Sequence, residues 1–128
     1  MTRARQDLGR RGEEIAAAWL GERGLRVVAR NVRTVGVRGE IDLIATEGRA
    51  LVFVEVKTLR YGALAGPEVP ALAVGPRKQA KLRSLALAWL RENRARLGGF
   101  AELRFDVVGL RLDDAGRVRE RDHLRAAF

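Results

Sequence analysis

The sequence predicts an α/β domain in which a sheet is covered by helices on both faces. Two stretches carry helical periodicity, residues 8–23 and the run that follows Pro76. Between them lies a hairpin, "EIDLIATEGRALVFVEVKT". In the register favoured below, both faces of this hairpin are apolar along most of their length, the pattern of a sheet buried on both sides.

The elements follow in order. Leu8, Ile15, Ala16, Trp19 and Leu20 recur at helical spacing and Gly24 supplies a stop. At 100° per residue Glu13 falls at the border of that stripe, about 60° from Ala16, while Glu14 points away into solvent. "LRVVARNVR" reads as a strand with an arginine-bearing side and imperfect alternation. The hairpin follows, with Gly48 in its turn. Residues 59–75 are rich in glycine and proline and read as a long loop, a candidate contact for a substrate or partner. Pro76 opens a second helix carrying Leu82, Leu85, Ala86 and Trp89 on one side. Lys78 lies on that inward stripe, one turn ahead of the core, flanked by Gln79 and Lys81. "ELRFDVVGLRL" is a further strand and "VRERDHLRAAF" a short strand with a polar tail. The 128 residues make one domain without internal repeats, and both tryptophans read as packing residues.

Composition removes several chemistries. There is no cysteine, hence no disulfide framework and no thiolate metal site, and His123 is the single histidine. His123 is expected at the surface, and Asp106 as a strand-end aspartate paired with Arg104 or another arginine. No apolar run reaches the roughly 18–20 residues of a membrane span, so a soluble cytoplasmic protein is expected. The net charge of +9 favours a polyanionic partner such as nucleic acid. An arginine-heavy coding bias is the competing source of that charge. Only three of the 25 basic residues are lysines, Lys57, Lys78 and Lys81. Against such a background a lysine marks places where a compact ammonium does what a planar guanidinium cannot.

The register of the hairpin decides whether its charges meet. A two-residue loop closed by Glu47 and Ala50, or a four-residue loop closed by Thr46 and Leu51, places Asp42 across from Glu55 and Glu40 across from Lys57. A three-residue loop would set Asp42 against Val56, on the wrong face. In the first register Leu51, Phe53, Glu55 and Lys57 share one face, and Val52, Val54 and Val56 join Ile41, Leu43 and Ala45 on the other. Asp42 and Glu55 are then a like-charge pair that needs positive compensation. Lys57 supplies part of it. A divalent cation would supply more, and an all-oxygen donor set suits Mg²⁺ or Mn²⁺. A sheet end with a plain carboxylate–lysine salt bridge is the alternative.

Asp42, a turn, and the tripeptide Glu55-Val56-Lys57 resemble the signature of the PD-(D/E)xK nuclease superfamily. More closely, "GEEIAAAWL", "RNVR", "GEIDLIA", "LVFVEVKT", "RKQAKL", "RFDVV" and the terminal "AAF" resemble the YraN-like bacterial family, uncharacterised protein family 0102, regarded as similar to Holliday-junction resolvases. The resemblance covers nearly the whole chain. It departs at Thr58-Leu59-Arg60, where family members commonly carry Thr-Arg directly after the lysine.

This resemblance implies a restriction-endonuclease-like fold, a central mixed β-sheet flanked by α-helices. It implies Asp42, Glu55 and Lys57 as catalytic residues, and Glu13, Asp42, Glu55 and the Val56 carbonyl as ligands of Mg²⁺ or Mn²⁺. Lys78, Gln79 and Lys81 would contact substrate, though ordinary helix-start polarity accounts for them equally well. The implied activity is hydrolysis of DNA phosphodiesters at branched structures, by a protein that acts as a homodimer. Two rivals stay open: a non-catalytic nucleic-acid-binding module that keeps the fold, and a protein-interaction scaffold whose charge is compositional.

Overall fold

The first helix begins earlier than its apolar stripe. Thr2 caps it, the hydroxyl accepting the Arg5 N–H at 3.3 Å, and in the computed structural model α1 spans Arg3–Glu22. The structure describes residues 2–63, 68–96 and 98–128. Five strands follow α1: β1 (Arg26–Arg33), β2 (Glu40–Glu47), β3 (Ala50–Arg60), β4 (Glu102–Leu112) and β5 (Val118–Leu124). They form one sheet in the order β1-β2-β3-β4-β5, antiparallel throughout except for the parallel β3–β4 pair. That parallel pair requires a crossover, which contains α2 (Pro76–Glu92). The result is a mixed sheet with a helix on each face, a restriction-endonuclease-like α/β arrangement.

Two cores sit on the two faces. Ala16, Ala17 and Leu20 of α1 pack on Leu43, Ala45, Val52, Val54, Val108 and Leu110. Leu82, Leu85 and Ala86 of α2 pack on Ile44, Leu51, Phe53 and Val107. The strand faces follow the predicted alternation with one correction. Ile41 lies with Ile44 on the α2 side rather than with Leu43 and Ala45. The alternation therefore slips around Asp42, across from the left-handed Asn31 of β1.

The β2–β3 hairpin closes as Glu47 against Ala50, with Gly48 at a φ of 56° in a two-residue turn. Ladder pairs run from there to Leu43–Val54, in the expected register. Beyond them a side chain takes over, because Asp42 Oδ2 accepts the Val56 N–H at 2.8 Å. The expected facing pairs Asp42–Glu55 and Glu40–Lys57 are accordingly not backbone-ladder pairs. The loop predicted for residues 59–75 falls partly outside the described residues, at 64–67. Its later part forms a short 3-10 turn, Pro70–Ala73, with Pro70 and Ala71 buried.

The C-terminal strands hold a buried polar network that the sequence did not reveal. Asp106 lies in the middle of β4, fully buried, and not at a strand end. Its partner is Arg104 as expected, at 2.8 Å, and it also accepts from His123 Nε2 at 2.8 Å and Ala126 N at 3.1 Å. The His123 side chain is 1% exposed, so the surface expectation fails. Its Nδ1 accepts from Arg23 Nε at 3.0 Å, which leaves Nε2 as the protonated nitrogen. Trp19 closes this corner, with Arg23 and Arg121 stacked on its ring.

Candidate metal centre

Gly12 determines how closely α1 approaches the sheet. A Cβ there would overlap the Thr58 hydroxyl and lie 2.9 Å from Thr58 Cβ. Its absence lets the helix settle on β3 and leaves the next residue, Glu13, half-buried at the edge of the stripe. Glu14 is exposed and pairs with Arg11 at 3.8 Å. On β1, Asn31 has a φ of 49°, the left-handed region that asparagine tolerates better than most residues. This kink brings the Asn31 amide to Glu13 of α1 and Glu40 of β2. Its Nδ2 donates to Glu13 Oε1 at 2.7 Å and Glu40 Oε1 at 3.2 Å. Arg33 pairs with the other oxygen of Glu40 at 3.2 Å.

Glu13, Glu40 and Asp42 thereby each present a carboxylate oxygen, all within 4.8 Å of one another. Glu55, which is 9% exposed, lies against Asp42, and its Oε1 faces Lys78 Nζ at 3.6 Å. Its Oε2 is buried and has no hydrogen-bond partner. Burial, with the Glu55 charge second, pushes Asp42 up to about 8, although the Val56 N–H works the other way. Burial also raises Glu55, against the pull of Lys78 and Lys57. The two carboxyls therefore resist ionising together, and a divalent cation would relieve their repulsion. An all-oxygen donor set, an orphaned buried carboxylate oxygen and crowded negative charge fit a hard cation such as Mg²⁺ or Mn²⁺.

The structure thus gathers Glu13, Asp42 and Glu55 into one neighbourhood, with Lys57 close enough to influence Glu55. Val56 contributes its N–H to Asp42. Lys78 reaches Glu55, whereas Gln79 Nε2 is engaged by the Val74 carbonyl at 3.0 Å. Lys78 and Lys81 line a shallow depression of about 760 Å³ along the start of α2. Sequence reasoning misses two members of the cluster. Register alone pairs Glu40 with Lys57 rather than with a ligand group, and it gives Asn31 no role within "RNVR". An asparagine interrupting a strand of imperfect alternation is the available signal.

A mixed-sheet α/β protein with a carboxylate cluster at the separation of two central strands is the class that fold and site define. Residues 12–110 match the model of uncharacterised protein family UPF0102, and the chain belongs to this family. It is 46% identical over 125 residues to a UPF0102 protein of Anaeromyxobacter dehalogenans, covering 97% of this chain and 85% of the relative. A UPF0102 protein of Pelobacter propionicus is 43% identical, with 96% and 83% covered. One from Arthrobacter sp. is 45% identical, with 96% and 97% covered. Among the described residues, no helix is long and apolar enough to cross a membrane.

Proposed function

We propose that this protein is a Mg²⁺- or Mn²⁺-dependent nuclease that hydrolyses DNA phosphodiester bonds, at branched structures. The observation that carries the reading is the charge-frustrated pair of half-buried Asp42 and buried Glu55, with Glu55 Oε2 unpartnered, beside two of the three lysines of the chain. Asp42 and Glu55, with Glu13 and Glu40 alongside, would hold the cation. When bound, it supplies Lewis acidity at the phosphoryl oxygens and lowers the pKa of water. Lys57 orients the attacking water and offsets charge developing on the phosphoryl group. Lys78, 3.6 Å from Glu55 Oε1, would bind a phosphate oxygen of the substrate. Cutting both strands of a symmetric junction needs two such sites, hence two copies of the chain.

The test is cleavage of labelled four-way and single-stranded substrates in Mn²⁺. Asp42→Asn and Lys57→Ala should abolish cleavage and leave DNA binding within a few-fold of the unaltered protein. Cleavage that survives Asp42→Asn contradicts the reading. One observation favours a second reading, a DNA-binding module without cleavage. Lys78 compensates Glu55 at 3.6 Å. That reading expects DNA binding but no metal-dependent cleavage of any substrate.

A further inference from the structure

A second feature adjoins the carboxylate cluster. Between α1 and the edge strand β1 runs a groove of about 710 Å³, with Arg5 and Arg10 on the helix wall and Arg30 and Arg33 on the strand wall. Glu13 and Glu40 line it as well, so the groove opens directly onto the candidate metal centre. Arg30 is paired in the sheet with Leu43, whose side chain belongs to the α1-side core, and this directs the arginine toward the groove.

The charges in the groove are not balanced internally. Glu13 and Glu40 share the Asn31 amide, Glu40 also pairs with Arg33, and Glu14 is taken by Arg11. Among the described residues, Arg5, Arg10 and Arg30 have no carboxylate within 4 Å. From Arg5 to Glu13 the helix rises about 12 Å at 1.5 Å per residue. Phosphates follow one another at about 3.4 Å of axial rise per strand, so that length accommodates about three. Among the described residues, no aromatic side chain lines the groove. Channels for single strands combine basic residues with aromatic platforms on which the bases stack. A groove with guanidinium groups and no platform suits a backbone whose bases are turned away into their own stack.

We propose that the α1–β1 groove seats the sugar-phosphate backbone of duplex DNA beside the cleaved position, without reading sequence. This rests on the nuclease reading and specifies its substrate contact. The test is fluorescence anisotropy of a labelled duplex, and of one of its strands alone, in chelator so that no cleavage occurs. Salt is varied between about 50 and 200 mM. The double variant Arg10→Ser/Arg30→Ser should bind the duplex at least tenfold more weakly. Its log–log salt slope should fall by about 2, at roughly 0.9 for each phosphate that is no longer neutralised. Arg94→Ser/Arg96→Ser, with the same change of charge on exposed residues elsewhere, should stay within two-fold of the unaltered protein. Both doubles should melt at the temperature of the unaltered protein.

A groove variant that matches the control overturns the inference while leaving the nuclease reading intact. Tighter binding of the single strand than of the duplex overturns its duplex clause. No duplex binding by the unaltered protein overturns the inference, whereas the nuclease reading falls only if the four-way and single-stranded substrates are not cleaved either.

Discussion

Asp42 accepts the backbone N–H of Val56 at 2.8 Å, just past the last ladder pair of the β2–β3 hairpin. A side chain thus bonds where the strands begin to separate, and its carboxylate is left beside Glu55. This contact links the register of the hairpin to the electrostatics of the site, and stability should depend on it.

Asp42 titrates near 8 in the folded protein, raised by burial and by Glu55. In the unfolded chain it titrates in the ordinary carboxylate range. The contribution of this group is therefore fully present below about pH 4 and is lost as pH rises through about 8. Asp42→Asn keeps an acceptor for the Val56 N–H and removes the charge. In chelator at pH 8 it should raise the melting temperature by ~3–5 °C, on the order of 1 kcal/mol. The gain should vanish at pH 4.

At the opposite end of β2 the sign reverses. Arg125, with Arg104 behind it, holds Glu47 down at about 2. Burial opposes ionisation of Asp106, but bonds from His123, Arg104 and the Ala126 N–H outweigh it and lower its pKa. These contributions are present above the ordinary carboxylate range and are lost as pH falls through about 2 for Glu47. Arg104→Ala leaves Asp106 buried beside one fewer partner. It should cost about 3–5 kcal/mol near neutral pH, measured by denaturant unfolding, and much less in strong acid.

Asn31 should act as a positioning residue. Asn31→Gly preserves access to positive φ but removes the amide that joins Glu13 to Glu40. Mn²⁺ affinity should fall about tenfold with the fold intact by circular dichroism. An unchanged affinity would assign the asparagine to backbone geometry alone.

Gly12→Ala should lift α1 from β3 by forcing a methyl group against Thr58. Overpacking of this kind costs about 1–3 kcal/mol. Because Glu13 follows directly, Mn²⁺ affinity should decline along with the melting temperature.

The sequence made the framework legible because periodicity and turn chemistry are local. The hairpin limits at Glu40, Glu47 and Ala50 and the limits of β4 match the structure, as does the closing register. What escaped depends on departures from regularity. Strict alternation could not foresee the slip at Asp42 that sends Ile41 to the α2 side, nor the left-handed Asn31 across from it. Glu40 entered the cluster through that kink. His123 and Asp106 meet across β4 and β5 with Arg23 from the end of α1, a long-range contact with no local mark in the sequence.

Whether the carboxylates hold a cation is decided by calorimetric titration of Mn²⁺ into the metal-free protein and its Asp42→Asn variant at neutral pH. Saturable heat is expected in the unaltered protein and its loss, or at least a tenfold weakening, in the variant. Equal binding by both, or no binding by either, would contradict the assignment of the Asp42 carboxylate cluster as a cation site.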